Sequence, residues 1–145
     1  MSIDVEVVRE TNDELVDAFA RLLPQLSTTA KLLDHDAVAE VMACNSNILL
    51  VARLDGVIVG TLTLVVLPLP SGLRARIEDV VVDVAARGHG VGAALIDEAV
   101  RLAKDAGART VDLTTRPSRE AANRLYERAG FQARDSKVYR FTVAE

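Results

Sequence analysis

The stretch Ile77-Glu78-Asp79-Val80-Val81-Val82, followed four residues later by Arg87-Gly88-His89-Gly90-Val91-Gly92, decides how this chain folds. The first half completes a β-branched run from Arg74 and reads as a strand. In the second, three glycines let the backbone turn sharply and come close to a ligand. Beyond the turn, Gly92 to Ala106 sets Leu95, Ala99, Leu102, Ala103 and Ala106 on one helical face, with Gly107 as C-cap. Thr110 to Thr114 is again strand-like. Strand, helix and strand in this order form a crossover unit, and a crossover joins parallel strands.

Upstream the pattern is antiparallel. Ile48 to Arg53 and Val57 to Val66 are β-branched runs separated by Leu54-Asp55-Gly56, and an Asp-Gly pair supplies the positive φ values of a tight hairpin. Pro68, Pro70, Ser71 and Gly72 then break the chain before the Arg74 to Val82 strand. Nearer the N-terminus, Ile3 to Val8 alternates apolar and acidic residues, the period of a half-buried strand. Asn12 or Thr11 can cap a helix carrying Leu15, Val16, Phe19, Leu22 and Leu23, with Pro24 near its end. Ser27 to Leu33 reads as a loop or short helix, and Asp34 to Met42 as a second helical piece.

Downstream, Pro117 and Ser118 open a last helix to Ala129, Gly130 follows it, and Phe131 to Ala133 and Val138 to Val143 are candidate closing strands. The expected order is β-α-α-β-β-β-α-β-α-β, an α/β (α+β) fold with a mixed, mostly antiparallel sheet and helices on both faces. The 145 residues suit one domain, residues 1–145, with neither repeat nor linker.

Composition narrows the function classes. A net charge of −4 without a basic run or an aromatic series gives no nucleic-acid surface. Cys44 stands alone and only His35 and His89 are present, so no Cys/His set for a metal exists and a reducing cytoplasm fits. No apolar run reaches membrane-spanning length, and the acidic N-terminus lacks a signal-peptide pattern. A soluble, cytoplasmic, unprocessed protein is expected.

The glycine turn opens a helix, so unpaired N–H groups, the positive end of the helix dipole and Arg87 converge on it and favour a phosphate or pyrophosphate. A Rossmann fingerprint would begin a repeated parallel set, whereas this turn follows several antiparallel strands. A P-loop would continue with Lys-Ser/Thr, which is absent. Glycine used only for close helix packing is the structural alternative.

These residues resemble the GNAT superfamily of N-acetyltransferases, whose motif Arg/Gln-x-x-Gly-x-Gly/Ala is matched by Arg87, Gly90 and Gly92. Ala122-Asn123-Arg124-Leu125-Tyr126-Glu127-Arg128-Ala129-Gly130-Phe131 is similar to the family's second signature. The resemblance is strong from Arg74 to Phe131. It implies acetyl-CoA as co-substrate without a metal, the pantetheine arm on the backbone of Val80, Val81 and Val82, and the pyrophosphate at Gly88, His89, Gly90, Val91, Gly92 and Ala93 with Arg87. Ala122 and Tyr126 are implied in the same cofactor site. Where many members have asparagine, this chain has Arg119, which either reaches a phosphate or covers the helix surface.

Acetyl transfer to an amine needs a base, and Glu78 is the first candidate; strand alternation puts Asp79 on the opposite face. Pairing of Glu78 with Arg74 or Arg76 is the structural alternative. Tyr126 sits where the family commonly places a tyrosine near the thioester sulfur, which implies a general acid; a core tyrosine is the alternative. His89 is a loop histidine within phosphate reach, and His35 has no evident partner. The strand Ile77 to Asp83 also resembles that of glucosamine-6-phosphate N-acetyltransferases. Acceptors therefore include small primary amines, amino sugars, amino-acid derivatives and protein amino groups, and a homodimer is one arrangement the resemblance leaves open. A GNAT-fold module that senses acetyl-CoA without transfer, and a nucleotide-binding protein, are the competing functions.

Overall fold

The computed structural model describes residues 2–144. Five strands, β1 (Ile3–Val8), β2 (Asn47–Leu54), β3 (Val57–Leu69), β4 (Gly72–Val82) and β5 (Val111–Asp112), form one sheet in the order β1-β2-β3-β4-β5. The first three pairings are antiparallel and the last is parallel. Helices α1 (Asp13–Leu26) and α2 (His35–Ala43) lie between β1 and β2, α3 (Val91–Ala106) crosses from β4 to β5, and α4 (Glu120–Arg128) follows. The mixed, mostly antiparallel sheet expected from the sequence is what forms.

The two faces of the sheet carry separate cores. Leu50 and Ala52 of β2 pack with Leu95, Ile96, Ala99 and Ala103 of α3. The alternate residues Leu49 and Val51 pack with Leu15, Ala18, Phe19 and Leu22 of α1 and Val38 of α2. Strict alternation in β2 thus puts helices on both faces. Gly60 of β3 lets α3 approach closely, because a Cβ there would lie 3.1 Å from Leu95 Cδ1 and Val91 Cγ1 and 3.3 Å from the Val81 carbonyl.

Local chemistry sets the element ends. Of the two candidate caps, Asn12 starts α1: its Oδ1 accepts from the Leu15 N–H at 2.8 Å. Asp34 does the same for α2 through Ala37. Asp55 (φ 51°) and Gly56 (φ 88°) make the expected β2–β3 turn. Arg53 clamps β2 to β1 and α1 through Glu6 at 2.9 Å and Glu14 at 2.8 Å. His35 does have a partner, Asp13 Oδ1 at 2.8 Å from its Nε2.

Several boundaries differ from expectation, and of the expected strand Thr110 to Thr114 only Val111–Asp112 pairs, as β5. Helix α3 begins at Val91, one residue early, and α4 begins at Glu120, since Pro117 and Ser118 lie in the turn before it. Strand β3 runs through Pro68 to Leu69, and β4 pairs back from Gly72, so the break is only a tight turn. Phe131 to Ala133 and Val138 to Val143 form no strand. Alternation is a property of a segment, whereas a strand also needs a partner edge; here Tyr139, Phe141 and Val143 are 87%, 90% and 91% exposed.

Replacing Gly60 with valine should force α3 off β3 and lower stability by roughly 1–3 kcal/mol, the usual cost of overpacking. A urea-unfolding midpoint unchanged from the parent would show that the helix yields freely.

Candidate active site

A 3-10 turn over Val84–Ala86 leads from β4 into the glycine loop. Asp83 caps it by accepting from the Ala85 N–H at 3.0 Å, and α1 holds the same corner. Gln25 Oε1 accepts from the Val84 N–H at 2.9 Å, and Arg21 lies 3.6 Å from Asp83 while donating to the Ile58 carbonyl at 3.2 Å. The loop is thus anchored from the opposite side of the sheet.

Gly88 (φ 87°) and Gly90 (φ 82°) adopt the left-handed region, and beyond the adjoining residues of the chain no atom among the described residues lies within 4 Å of where a Cβ of either would sit. Both serve the turn and leave open space above it. Gly92 has another job, because its Cβ would meet Leu125 Cδ1 at 3.0 Å; here the packing role expected as an alternative holds, of α3 against α4. Gly90 is the N-cap of α3 and offers no side-chain bond. The first backbone bond of the helix is from Ala94 to the Gly90 carbonyl, so among the described residues the N–H groups of Gly88 to Ala93 donate to no protein acceptor. Arg87 and His89 are exposed beside them. Free donors, a helix N-terminus and unfilled volume fit a phosphate or pyrophosphate.

The sheet opens next to this loop. Strand β5 pairs with β4 only at Ala75↔Val111 and Arg76↔Asp112, which among the described residues leaves the β4 edge from Ile77 to Val82 without a strand on that side. On its other side β4 bulges against β3: Thr61 pairs with Val81 and Thr63 with Glu78, so three steps on β4 oppose two on β3. Asp79 takes φ 51° at the bulge. Alternation therefore fails here, and Asp79 cannot be assigned to a face by counting from Glu78. Ile77 packs under α3, whereas Val81, which unbroken alternation would put beside it, packs under α1. Val80 and Val82 lie partly buried against the α3 core.

Tyr126 projects from α4. Gly130 (φ 101°) ends that helix in a Schellman motif: its N–H donates to Glu127 at 3.1 Å and the Phe131 N–H to Tyr126 at 3.0 Å. The reversal brings the Phe131 ring to 6.2 Å from that of Tyr126, inclined at 60°. Burial pushes the Tyr126 phenol above its ordinary value, against a smaller downward pull from Arg119, so the hydroxyl keeps its proton at neutral pH. Arg119 is exposed at the N-cap of α4 and makes no side-chain cap, and Ala122 is half-buried one turn before Tyr126.

Tyr126 and Arg76 line one groove of about 1000 Å³ along the outer edge of β5. Thr115 and Asn123, not singled out by sequence, also line it, and Thr115 Oγ1 and Asn123 Oδ1 are buried without a partner. Orphaned acceptors facing a groove mark where a bound molecule would donate. No sequence pattern flags such atoms, because their orphan state depends on what the turn before α4 uses: Asn123 Nδ2 donates to the Arg116 carbonyl at 3.2 Å. Glu78 is exposed on β4 with one oxygen 3.9 Å from Arg76 Nε. No group of His, Cys, Asp and Glu able to hold a metal occurs among the described residues.

An open β4 edge that leads into a helix N-terminus with free N–H groups has the donors to take an extended ligand that bears a phosphate. Residues 10–131 match the Acetyltransferase (GNAT) family, and the chain belongs to that family of acyl-transferring enzymes. An uncharacterised N-acetyltransferase of Methanocaldococcus jannaschii is 38% identical over 61 residues, 42% of this chain, and that match spans only 27% of the relative's length. Among solved structures, a transcriptional regulator from Bacillus halodurans superposes with TM-score 0.80 at 29% identity over 96% of this chain and all of that one. The glucosamine-6-phosphate N-acetyltransferase of Arabidopsis thaliana shares the fold with TM-score 0.80 at 21% identity, over 97% and 99% of the two chains.

Replacing Asp79 with valine should cost roughly 1–2 kcal/mol, because a β-branched residue resists the left-handed region. Glycine at the same position should be close to neutral. Equal unfolding midpoints for the two variants would mean that the bulge is not held in that conformation.

Proposed function

We propose that the chain is an N-acetyltransferase that moves an acetyl group from acetyl-CoA to a primary amine by direct attack in a ternary complex. The observation that carries this reading is the continuity of the unpaired β4 edge at Val80 to Val82 with the free N–H groups of Gly88 to Ala93. The pantetheine amides of acetyl-CoA can add to that edge as a further strand would, and the pyrophosphate can take the loop donors together with Arg87. Arg119 and Ala122, at the start of α4, are further proposed contacts of the cofactor.

The acceptor must attack as a neutral amine, although a lysine-like amine, with pKa about 10, is mostly protonated at neutral pH. Glu78 takes that proton, directly or through water. As the new C–N bond forms and the thioester C–S bond breaks, the departing thiolate takes the phenolic proton of Tyr126. The raised Tyr126 pKa suits the task, since a phenol already ionised could not donate. Small amines and amino sugars are the proposed acceptors, with protein amino groups a further class, acting in the cytoplasm where acetyl-CoA is available. A homodimer is compatible with this arrangement.

Tyr126→Phe should lower kcat by about 100-fold or more, the usual contribution of a positioned acid, while CoA still raises the melting temperature as in the parent. The alkaline limb of the parent kcat profile should fall above the ordinary phenol value of about 10, the direction burial imposes. Saturating CoA, at about 100 times its Kd, should stabilise the protein by about 2.7 kcal/mol, or roughly 5–10 °C, with little effect from ATP or NAD. CoA stabilisation without turnover on any amine would leave an acetyl-CoA sensor, and stabilisation by ATP or NAD in place of CoA would leave a nucleotide-binding protein.

A further inference from the structure

The apolar core formed by α1 and α2 takes from β3 and β4 Ile58 and Val81, with the buried Thr61 opposite Val81, and the sheet face beyond them is not part of it. Beyond Val81, past the bulge, β4 presents Arg74, Arg76 and Glu78 there, opposite Leu67, Val65 and Thr63 of β3. On the other side run Thr110, Asp112 and Thr114, because Arg76 is in register with Asp112. Ala75 and Ile77, between these residues, face α3 and are buried. The charged and hydroxyl side chains of this half-face lie on its β4 and β5 side, beside the apolar Val65 and Leu67 of β3, and Arg76 also lines the groove that contains Tyr126.

Its two arginines differ from those used for structure. Arg53 and Arg101 grip carboxylates with two or more nitrogens at 2.7–3.0 Å. Arg74 instead donates only to the hydroxyls of Thr110 at 3.3 Å and Ser71 at 3.4 Å, and forms no ion pair among the described residues. Arg76 donates to the Thr114 hydroxyl at 3.2 Å, with Glu78 at the loose distance of 3.9 Å. Hydroxyls orient a guanidinium without neutralising it, so both planar donor sets remain available to an anion. Glu78 and Asp112 keep the face from being uniformly basic, which disfavours a polyanion and suits a molecule bearing both charges.

We infer that the acetyl acceptor is a small amine that also carries a carboxylate or phosphate, received by Arg74 and Arg76 while its nitrogen lies at Glu78. This rests on the transferase reading above. Specificity follows from desolvation: a neutral acceptor would leave two guanidinium groups unpaired, and a polycationic one would meet them as like charges.

The test compares matched amines at saturating acetyl-CoA, glucosamine-6-phosphate against glucosamine and an α-amino acid against its amide. The anionic member should have the higher kcat/KM in at least one pair, by about tenfold, as one charge-assisted hydrogen bond supplies. The responding pair identifies phosphate or carboxylate. Arg76→Gln should raise KM for that substrate about tenfold with a smaller change in kcat, and Arg76→Lys should recover part of the loss; melting temperatures verify that both variants fold. Preference for the neutral member in both pairs, or a preference that survives in the Arg74→Gln, Arg76→Gln double variant, overturns the inference and leaves the transferase reading intact. If CoA binds but no amine is acetylated, calorimetric titration of the same anionic amines into CoA-loaded protein decides instead. Binding lost in Arg76→Gln supports the site, and absence of binding to the parent overturns it.

Discussion

The bulge at Asp79 is the constraint on which the rest of the site depends. One extra residue on β4 reverses which side chains face which helix, so that Ile77 lies under α3 and Val81 under α1. A regular strand would have put both on one face. The reversal coincides with the end of β4–β5 pairing, since β5 meets β4 only at Ala75 and Arg76. Beyond that point β4 is held by β3 alone, and its other edge stays open up to the loop. A left-handed aspartate is locally unfavourable, and the packing of Ile77 and Val81 on opposite sides holds it there.

The same division of labour separates the glycines. Gly88 and Gly90 turn the chain and keep space open; Gly60 and Gly92 have ordinary φ values and permit contact instead, with α3 and with Leu125. Removing a side chain thus serves two ends within one supersecondary unit: it draws α3 onto the sheet and α4 onto α3, and it exposes the first N–H groups of α3. Gly130 adds a third use, since its positive φ lets Phe131 return onto Tyr126 and bury the phenol. Burial then keeps that hydroxyl protonated.

How much of this was legible in the sequence depends on the range of the interaction. The Asp55-Gly56 turn, the Asn12 cap, the Gly107 and Gly130 helix ends and the crossover through α3 are set by neighbours a few residues apart, and sequence patterns report such neighbours well. The loop donors are of the same kind, because any helix N-terminus leaves them free. The bulge was illegible, since Glu78-Asp79-Val80 reads as uninterrupted strand and the irregularity exists only relative to β3. The orphaned Thr115 and Asn123 atoms were hidden for the same reason. The tail failed in the opposite sense: Val138 to Val143 has the alternation of a strand and no partner edge.

Charge placement shows a similar limit, and it bears on why the half-face beside Glu78 is open. Sequence proximity made Arg74 and Arg76 natural structural partners for Glu78, yet only Arg76 approaches it, at 3.9 Å, and Arg74 turns to Thr110 and Ser71. A surface ion pair in such a position would contribute little to stability, commonly under about 1 kcal/mol. Its looseness therefore costs the fold little, and Glu78, Arg74 and Arg76 remain separately addressable within one strand. The β4 edge left open past β5 and the sheet face left by α1 beyond Val81 meet at this bulge, so the edge proposed for the donor and the face proposed for the acceptor lie side by side on one strand.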